Sequence, residues 1–576
     1  MACIRGIVIQ NFRGIKHLSW KPGPGINCLI GPGDSSKSTV LDAIDLCLGA
    51  RRNVSFSDTD FHRMDTSRPI SIRAIIGDLP DELLSIDSYG VFLKGYDTSK
   101  GELYDEPQAH LEPVLQVSLT VESDLEPSWT IHSERSAAEG IIRQLAWKEK
   151  VMLAPTRIGT SSDFNLSWNR GSVLNRLTEE RADASAALVQ AGRDARNAFG
   201  TQANHQLQDA LKIVTSTADE LGVYVGDSAQ ALLDSHSISF GSGTIALHNS
   251  EGIPLKRMGV GSTRLLISGL QRHTVNGSTI VLADELEYGL EPHRIVSFLR
   301  SLGSKDQSPI RQVFATTHSP IVLRELSGHQ LTVVRPSDEA HFAANVGKAD
   351  ILQGTIRLFP EAFLAPSVIV CEGATEVGFL RGLDLYRADQ GDLSLTALGA
   401  SFVNVGGGHP DKAYERAIAF QTLGYRTMVV RDADIQPSPE LESQFIANGG
   451  AVTHWREPLF LEQELFQSLA PETCIDLLYR AIDIYGELVD EHLGSASQGN
   501  IGSQTLIDHH LATGELSPEL RDCLGAAASK KRGWFKNIAV MEEATRDIIA
   551  PGLHQSAPAL QDLLQHLYSW VEIRSA

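Results

Sequence analysis

The chain has 576 residues and carries 50 Lys and Arg against 71 Asp and Glu, a formal charge of −21. At roughly 150 residues per domain this length predicts two to four domains. With 42% hydrophobic residues there is enough apolar material for real cores, which excludes global disorder. No run approaches the roughly 18 apolar residues of a membrane helix, and the opening segment alternates with Arg and Asn, unlike a signal-peptide core. A soluble, cytoplasmic protein without membrane association is expected. Cys3, Cys28, Cys47, Cys371, Cys474 and Cys523 lack CxxC spacing and read as buried thiols in a reducing compartment. The acidic balance argues against a broad basic coat for nucleic acid. It suits a metal-dependent phosphoesterase, in which divalent cations supply positive charge at the phosphate.

Residues 3–11 read as a strand, and 26–30 as a second strand running into a Gly/Ser loop and a helix over about 37–48. Alternating stretches within 51–135 predict a β-rich lobe. Ala, Leu, Glu, Arg and Gln at helical spacing predict a helical insertion over about 171–222. Strand and helix alternation resumes near 236 and runs to about 358. Prolines from Phe359-Pro360 to Pro366 suggest a boundary. A second α/β unit follows: a strand at 368–371, a helix at 375–387, a strand at 401–405, Gly406 to Gly408, a helix at 410–423 and a strand at 426–431. The tail from about 471 to 576 reads as mostly helical, and no internal repeat is evident.

The segment Gly31-Pro32-Gly33-Asp34-Ser35-Ser36-Lys37-Ser38-Thr39 follows a strand and opens a helix, the context in which a GxxxxGK[ST] pattern cradles phosphates. Lys37 is expected to reach β/γ oxygens and the Ser38 hydroxyl to ligate Mg2+. Ser36 stands where the usual pattern has glycine, which puts nucleotide affinity in question. Ile280 to Ala283 is an apolar strand ending in Asp284 and Glu285. Asp284 is expected to hold Mg2+ through water and Glu285 to polarise the attacking water. A third apolar strand from Val313 ends at His318, placed to contact a γ-phosphate. Arg257 to Arg264 is a Gly/Ser turn, with Gly261 opening a helix. Together with Ile9-Gln10-Asn11-Phe12-Arg13-Gly14, these pieces resemble the ATP-binding-cassette (ABC) ATPases of the structural-maintenance-of-chromosomes (SMC) type. The resemblance implies ATP as cofactor. It also implies a homodimer or higher homo-oligomer, because the Gly/Ser signature of one subunit completes the phosphate site of another, with the insertion at 171–222 as a contact. No Gln-containing loop is evident between the phosphate loop and the signature.

In the second unit, Val368 to Cys371 leads into Glu372-Gly373-Ala374-Thr375-Glu376, and Met428 to Arg431 leads into Asp432-Ala433-Asp434. Carboxylates at the carboxyl ends of parallel strands converge where open α/β sheets bind ligands. Their density calls for cations, and hard oxygen ligands favour Mg2+ or Mn2+. EGxxE followed by DxD resembles the Toprim domain of topoisomerases, primases and related nucleases. No tyrosine stands in a context that would support a type IA topoisomerase.

A cassette ATPase over 1–358 followed by a Toprim domain with helical tail over 366–576 resembles the OLD (overcoming lysogenisation defect) nucleases, including the nuclease subunit of Gabija-type anti-phage systems. The resemblance implies metal-dependent hydrolysis of double-stranded DNA in defence against phage, with a helicase-like or other defence-system partner. Glu372, Asp432 and Asp434 are the expected metal ligands, joined by Glu376. The family adds an acidic residue, matched by Glu462 with Glu464 as alternative, and a lysine, matched by Lys536 ahead of Lys530. A second reading makes the chain a cassette-type sensor or scaffold whose Toprim unit binds a partner without cutting. Whether nucleotide is hydrolysed or only sensed stays open.

Overall fold

The computed structural model describes residues 2–51, 54–159, 247–271, 279–337, 339–530 and 532–573, with scattered residues and the helix Gln208–Glu220 between 160 and 246. The expected insertion at 171–222 and the restart of alternation near 236 lie for the most part outside the described residues. Among these residues the fold is α/β, organised around three sheets. The β-rich lobe is antiparallel. Its strands run in the order Ile15–Trp20, Cys3–Phe12, Ile70–Gly77, Glu112–Val121, Lys94–Asp97, Glu102–Tyr104, and Pro127–His132 pairs with Glu112–Val121. Period-two alternation builds it: Ile70, Ile72, Ala74 and Ile76 are fully buried, while Ser71, Arg73 and Ile75 on the other face are not.

The second sheet has the order Thr156–Ile158, Ile280–Ala283, Gln312–Thr316, Ile26–Ile30, Leu331–Arg335, Phe342–Asn345. Its first five strands are parallel and the last is antiparallel. Every residue of Ile26–Ile30 is buried, as expected of a central parallel strand covered on both faces. Parallel pairing brings the phosphate loop, the Asp284-Glu285 turn and the Thr316 to His318 turn to one edge of the sheet. The third sheet is entirely parallel, in the order Ala400–Asn404, Ser367–Cys371, Arg426–Arg431, Ala451–His454. Helices Ala374–Asp389 and Asp411–Thr422 connect its strands. The tail is helical from Leu461–Ser468 to Pro558–Glu572, around the buried Trp455 and Trp534.

The proline-bracketed segment expected as a boundary is not a solvated linker. Pro360–Phe363 is a short helical turn whose Ala362 and Phe363 are fully buried. The Phe363 ring lies 5.0 Å from Phe420 and 6.3 Å from Tyr425, and the Tyr425 hydroxyl donates to the Phe363 carbonyl at 2.7 Å. One apolar core therefore contains Ile26, Val281, Val313 and Leu331 of the second sheet and Val368, Val370 and Val403 of the third. All six cysteines are free. Five are buried as expected, but Cys3, near the chain start, is only partly so. No described helix is long and apolar enough to cross a membrane.

Because Phe363 joins the two sheets through a single core, Phe363→Ala should cost about 3–5 kcal/mol. Urea unfolding of the variant against the parent chain measures it.

Candidate functional site

At the edge of the second sheet, the loop after Ile26–Ile30 places Gly31 at φ +134°, Asp34 at +58° and Ser36 at +63° before the helix Lys37–Leu48. Ser36 thus occupies the left-handed conformation that glycine normally supplies. Serine reaches that region at a cost of roughly 1–2 kcal/mol, so the loop geometry is attainable without the glycine. The Ser36 hydroxyl lies 3.3 Å from His341 Nε2. Lys37 is buried, and its Nζ donates to the carbonyls of Gly31 (3.1 Å) and Pro32 (2.7 Å) and to Ser35 Oγ (3.1 Å). Burial pulls its ammonium down to about 8. Ser35 is buried, Thr39 half-buried, and Gly33 and Asp34 are exposed at the loop tip.

Ser38 Oγ donates to Asp284 Oδ1 at 2.9 Å, which brings together the two groups expected at Mg2+. Glu285 is exposed beside it at φ +46° and donates its backbone N–H to Thr316 Oγ1. His318 is exposed at the end of the neighbouring strand. Gly261 lies in the helix Val260–Gln271, against this chain's own turn. A Cβ there would stand 2.1 Å from the Gly289 carbonyl oxygen, so the close approach requires glycine.

Several residues at this edge carried no role in the sequence reading. Thr316 Oγ1 donates to Asp284 Oδ1 at 2.6 Å. Glu287 accepts from Thr317 Oγ1 (2.6 Å) and from the His318 N–H (2.7 Å), which fixes the His318 turn. Arg264 is almost fully buried and donates to the carbonyls of Asp284, Glu285 and Tyr288, tying the Gly/Ser-opened helix to the acidic turn. Arg157 lies in the middle of the edge strand Thr156–Ile158, in the region where no Gln loop was evident. Its Nη1 pairs with Asp42 (2.7 Å) and Asp45 (3.2 Å) on the phosphate-loop helix, and its Nη2 lies 3.6 Å from Asp284 Oδ2. Asp42 in turn pairs with Arg13, from the Asn11-Phe12-Arg13-Gly14 segment, and Arg13 with Asp60.

In the third sheet, Glu372 follows Ser367–Cys371 and Asp432 and Asp434 follow Arg426–Arg431, adjacent parallel strands. Carboxylate oxygens of these three residues lie within 4.8 Å of one another. That spacing matches one divalent ion with oxygen ligands at about 2.0–2.6 Å. The Asp432 N–H donates to Glu372 Oε2 (3.2 Å), and the Leu461 N–H to Asp432 Oδ1 (2.9 Å). Burial, reinforced by the charges of Asp432 and Asp434, pushes the Glu372 carboxyl up to about 7. Asp432 is raised by burial and by Glu376 and Glu462, and Glu376 by burial, Glu462 and Glu372. Glu376 also folds back to accept the Gly373 N–H at 2.8 Å.

Glu462 is buried and takes an ion pair from Lys536 Nζ at 2.6 Å. Glu464 is consumed elsewhere by Arg456 and Ser468, and Lys530 donates to the His492 carbonyl. Of each pair of alternatives, only Glu462 and Lys536 therefore face the acidic cluster. Beneath it, the fully buried Arg431 donates to the Asp432 carbonyl (2.9 Å) and to the Tyr414 hydroxyl (3.1 Å), and Tyr414 donates to Glu442 (2.6 Å).

Ser36→Gly should keep ATP binding within about threefold of the parent. Ser36→Val, a β-branched residue forced into the left-handed region, should weaken it at least tenfold, about 1.4 kcal/mol; calorimetric titration with ATP distinguishes them. The raised carboxyls set a pH dependence. Their folded-state pKa values exceed those of the unfolded chain, so their stabilising contribution is complete below about pH 4 and is lost as pH rises through about 7. Metal-free protein should therefore lose thermal stability between pH 5 and pH 8, and Mg2+ or Mn2+ should raise the melting temperature more at pH 8 than at pH 5.5. Thermal unfolding with and without EDTA reads both.

Three solved structures show low overall similarity to this chain. One is an SMC head bound to the C-winged helix domain of ScpA (13% identity, 59% of this chain and 96% of that chain, TM-score 0.34). Another is the SMC head domain from Thermotoga maritima (11%, 60% and 99%, TM-score 0.29). The third is the recombination mediator protein RecF with an ATP analogue (11%, 59% and 98%, TM-score 0.30). No curated protein sequence matches the chain. The family described as "AAA domain, putative AbiEii toxin, Type IV TA system" matches residues 26–324, which include the phosphate loop, the Asp284-Glu285 turn and His318. That match spans more than half of the chain, and the protein belongs to this family of ATP-binding AAA-type ATPases.

Proposed function

We propose that the chain is an ATP-binding, divalent-metal-dependent DNA endonuclease of the OLD kind, acting in anti-phage defence. The observation that carries the reading is the meeting of Glu372, Asp432 and Asp434 within 4.8 Å at the carboxyl edge of a parallel sheet. Raised carboxyls without a cation and a spacing suited to oxygen coordination support a Mg2+ or Mn2+ site held by these three residues. Glu376 and Glu462 add negative charge beside Asp432. When bound, such ions supply a nucleophilic water at neutral pH and offset charge on attacking and leaving oxygens.

The chain's own groups do the rest. Asp432 is held in place by the Leu461 N–H, and its backbone by Arg431. Lys536, kept at the cluster by Glu462, presents an ammonium to a phosphodiester in the cleft. At the other site, Lys37 and the phosphate-loop N–H groups would hold the nucleotide phosphates, and Ser38 directly and Asp284 through water would hold Mg2+. Glu285 would orient the attacking water, and His318 would contact the γ-phosphate. A homodimer in which Gly261 and its turn face the partner's nucleotide, with double-stranded DNA as substrate and a helicase-like companion protein, belongs to the same reading, as does action in the bacterial cytoplasm.

Incubating supercoiled plasmid with the protein and Mg2+ or Mn2+ should give nicked or linear DNA, EDTA should stop it, and Asp432→Ala should lower the rate at least 100-fold. Wild-type protein that leaves the plasmid intact across metals and nucleotide states refutes the endonuclease. Equal phosphate release by the parent and Glu285→Gln refutes the role of Glu285.

A further inference from the structure

Beside the carboxylate cluster, two cations stand without an acidic partner among the described residues. Lys412 and Arg416 lie four residues apart on the helix Asp411–Thr422 and so share one face, while Ala413, Tyr414, Ala417 and Phe420 bury the other. The Lys412 ammonium reaches only the Gly407 carbonyl, at 3.5 Å. Arg416 is half-buried. Its Nη1 donates to the Asn404 carbonyl at 3.2 Å, and its Nε is shielded from solvent with no acceptor. Neither residue forms an ion pair among the described residues. A guanidinium partly removed from water without a counter-charge is unfavourable. Burial accordingly pulls Arg416 below its ordinary basicity, with no carboxylate opposing it.

Both cations face the strand end where the metal-binding reading is centred. Asn404 is the register partner of Cys371, the residue before Glu372. The loop that follows is pinned to the cluster, because the Gly407 N–H donates to the Glu372 carbonyl at 2.7 Å. Gly406, Gly407 and Gly408 have φ of +88°, +76° and +105°, and a Cβ on Gly406 or Gly407 would meet nothing within 4 Å. The loop thus presents bare backbone to an open space flanked by two cations.

We propose that Lys412, Arg416 and the Gly406–Gly408 loop form a phosphate subsite, which takes a phosphodiester of the DNA strand adjacent to the one being cut. This rests on the endonuclease reading and assigns these residues to gripping the strand, not to bond cleavage. Phosphate neutralisation releases counterions, so each contact contributes about 0.9 to the slope of log affinity against log salt concentration.

The test measures binding of a labelled duplex oligonucleotide in Ca2+ buffer between about 50 and 200 mM salt, alongside plasmid nicking in Mg2+. Lys412→Ala and Arg416→Gln should each reduce the slope by about 1, and the double variant by about 2. KM for plasmid should rise severalfold with kcat within about threefold, the signature of lost binding without lost chemistry. Arg416→Lys should restore the slope, whereas Lys100→Ala, a remote surface charge change, should leave it unaltered. If Arg416→Gln does not fold, exposed Lys412 carries the test through Lys412→Ala and Lys412→Glu. A wild-type slope and affinity in the double variant, with the parent binding and nicking normally, overturns the subsite while sparing the endonuclease. Thermal stabilisation by inorganic phosphate that the double variant loses, with DNA binding unchanged, assigns a free anion instead and also overturns it. A parent protein that neither binds nor nicks DNA removes the endonuclease reading and the subsite together.

Discussion

Negative charge gathered at the end of a parallel sheet is the constraint on which the second half of the chain depends. Glu372, Asp432 and Asp434 crowd within a few ångströms, and Glu376 and Glu462 add their fields from the flanking helices. A folded chain without cations can bear this only by holding protons on groups that would shed them in water. The surrounding structure is arranged to keep the cluster from relaxing apart. Buried Arg431 fixes the backbone under Asp432, the Leu461 N–H holds its side chain, and the Gly373 N–H holds Glu376. These contacts hold the carboxylates together against their mutual repulsion.

The first half solves the opposite problem, that of receiving a polyanion. Its phosphate loop adopts left-handed backbone at Asp34 and Ser36, neither of them glycine, and accepts a modest strain in doing so. Around it runs an alternating series of Asp60, Arg13, Asp42, Arg157 and Asp284, which links the turn after the first strand to the acidic turn of the sheet. Arg157 is the part of this series that occupies the region where a Gln loop was sought. Guanidinium and carboxylate pairs so chained hold one another's geometry, and each is worth more together than a lone surface pair.

What the amino-acid order made legible follows from signal strength. Unbroken apolar runs such as Ile26–Ile30 and Val368–Cys371 announce central parallel strands, and acidic or glycine-rich residues just after them announce the sheet's functional edge. The choice between Glu462 and Glu464 was illegible, because both lie in one helix and two residues apart means nearly opposite faces. Only the packing of Leu461–Ser468 turns one to the cluster and the other to Arg456. Thr316, Glu287 and Arg157 escaped for a related reason: each is a single polar residue whose role arises from a neighbour that only sheet order supplies. The segment after Leu358 shows a packing the sequence left implicit. Its prolines read as a domain boundary, and Phe363 between them packs it into the interior.

That interior has a consequence for how such a gene can be divided or recombined. Severing the chain between the two α/β units would part Val281, Val313 and Leu331 from Val368, Val370 and Val403 and expose an apolar face on each fragment. Each portion therefore depends on the other to cover its apolar face.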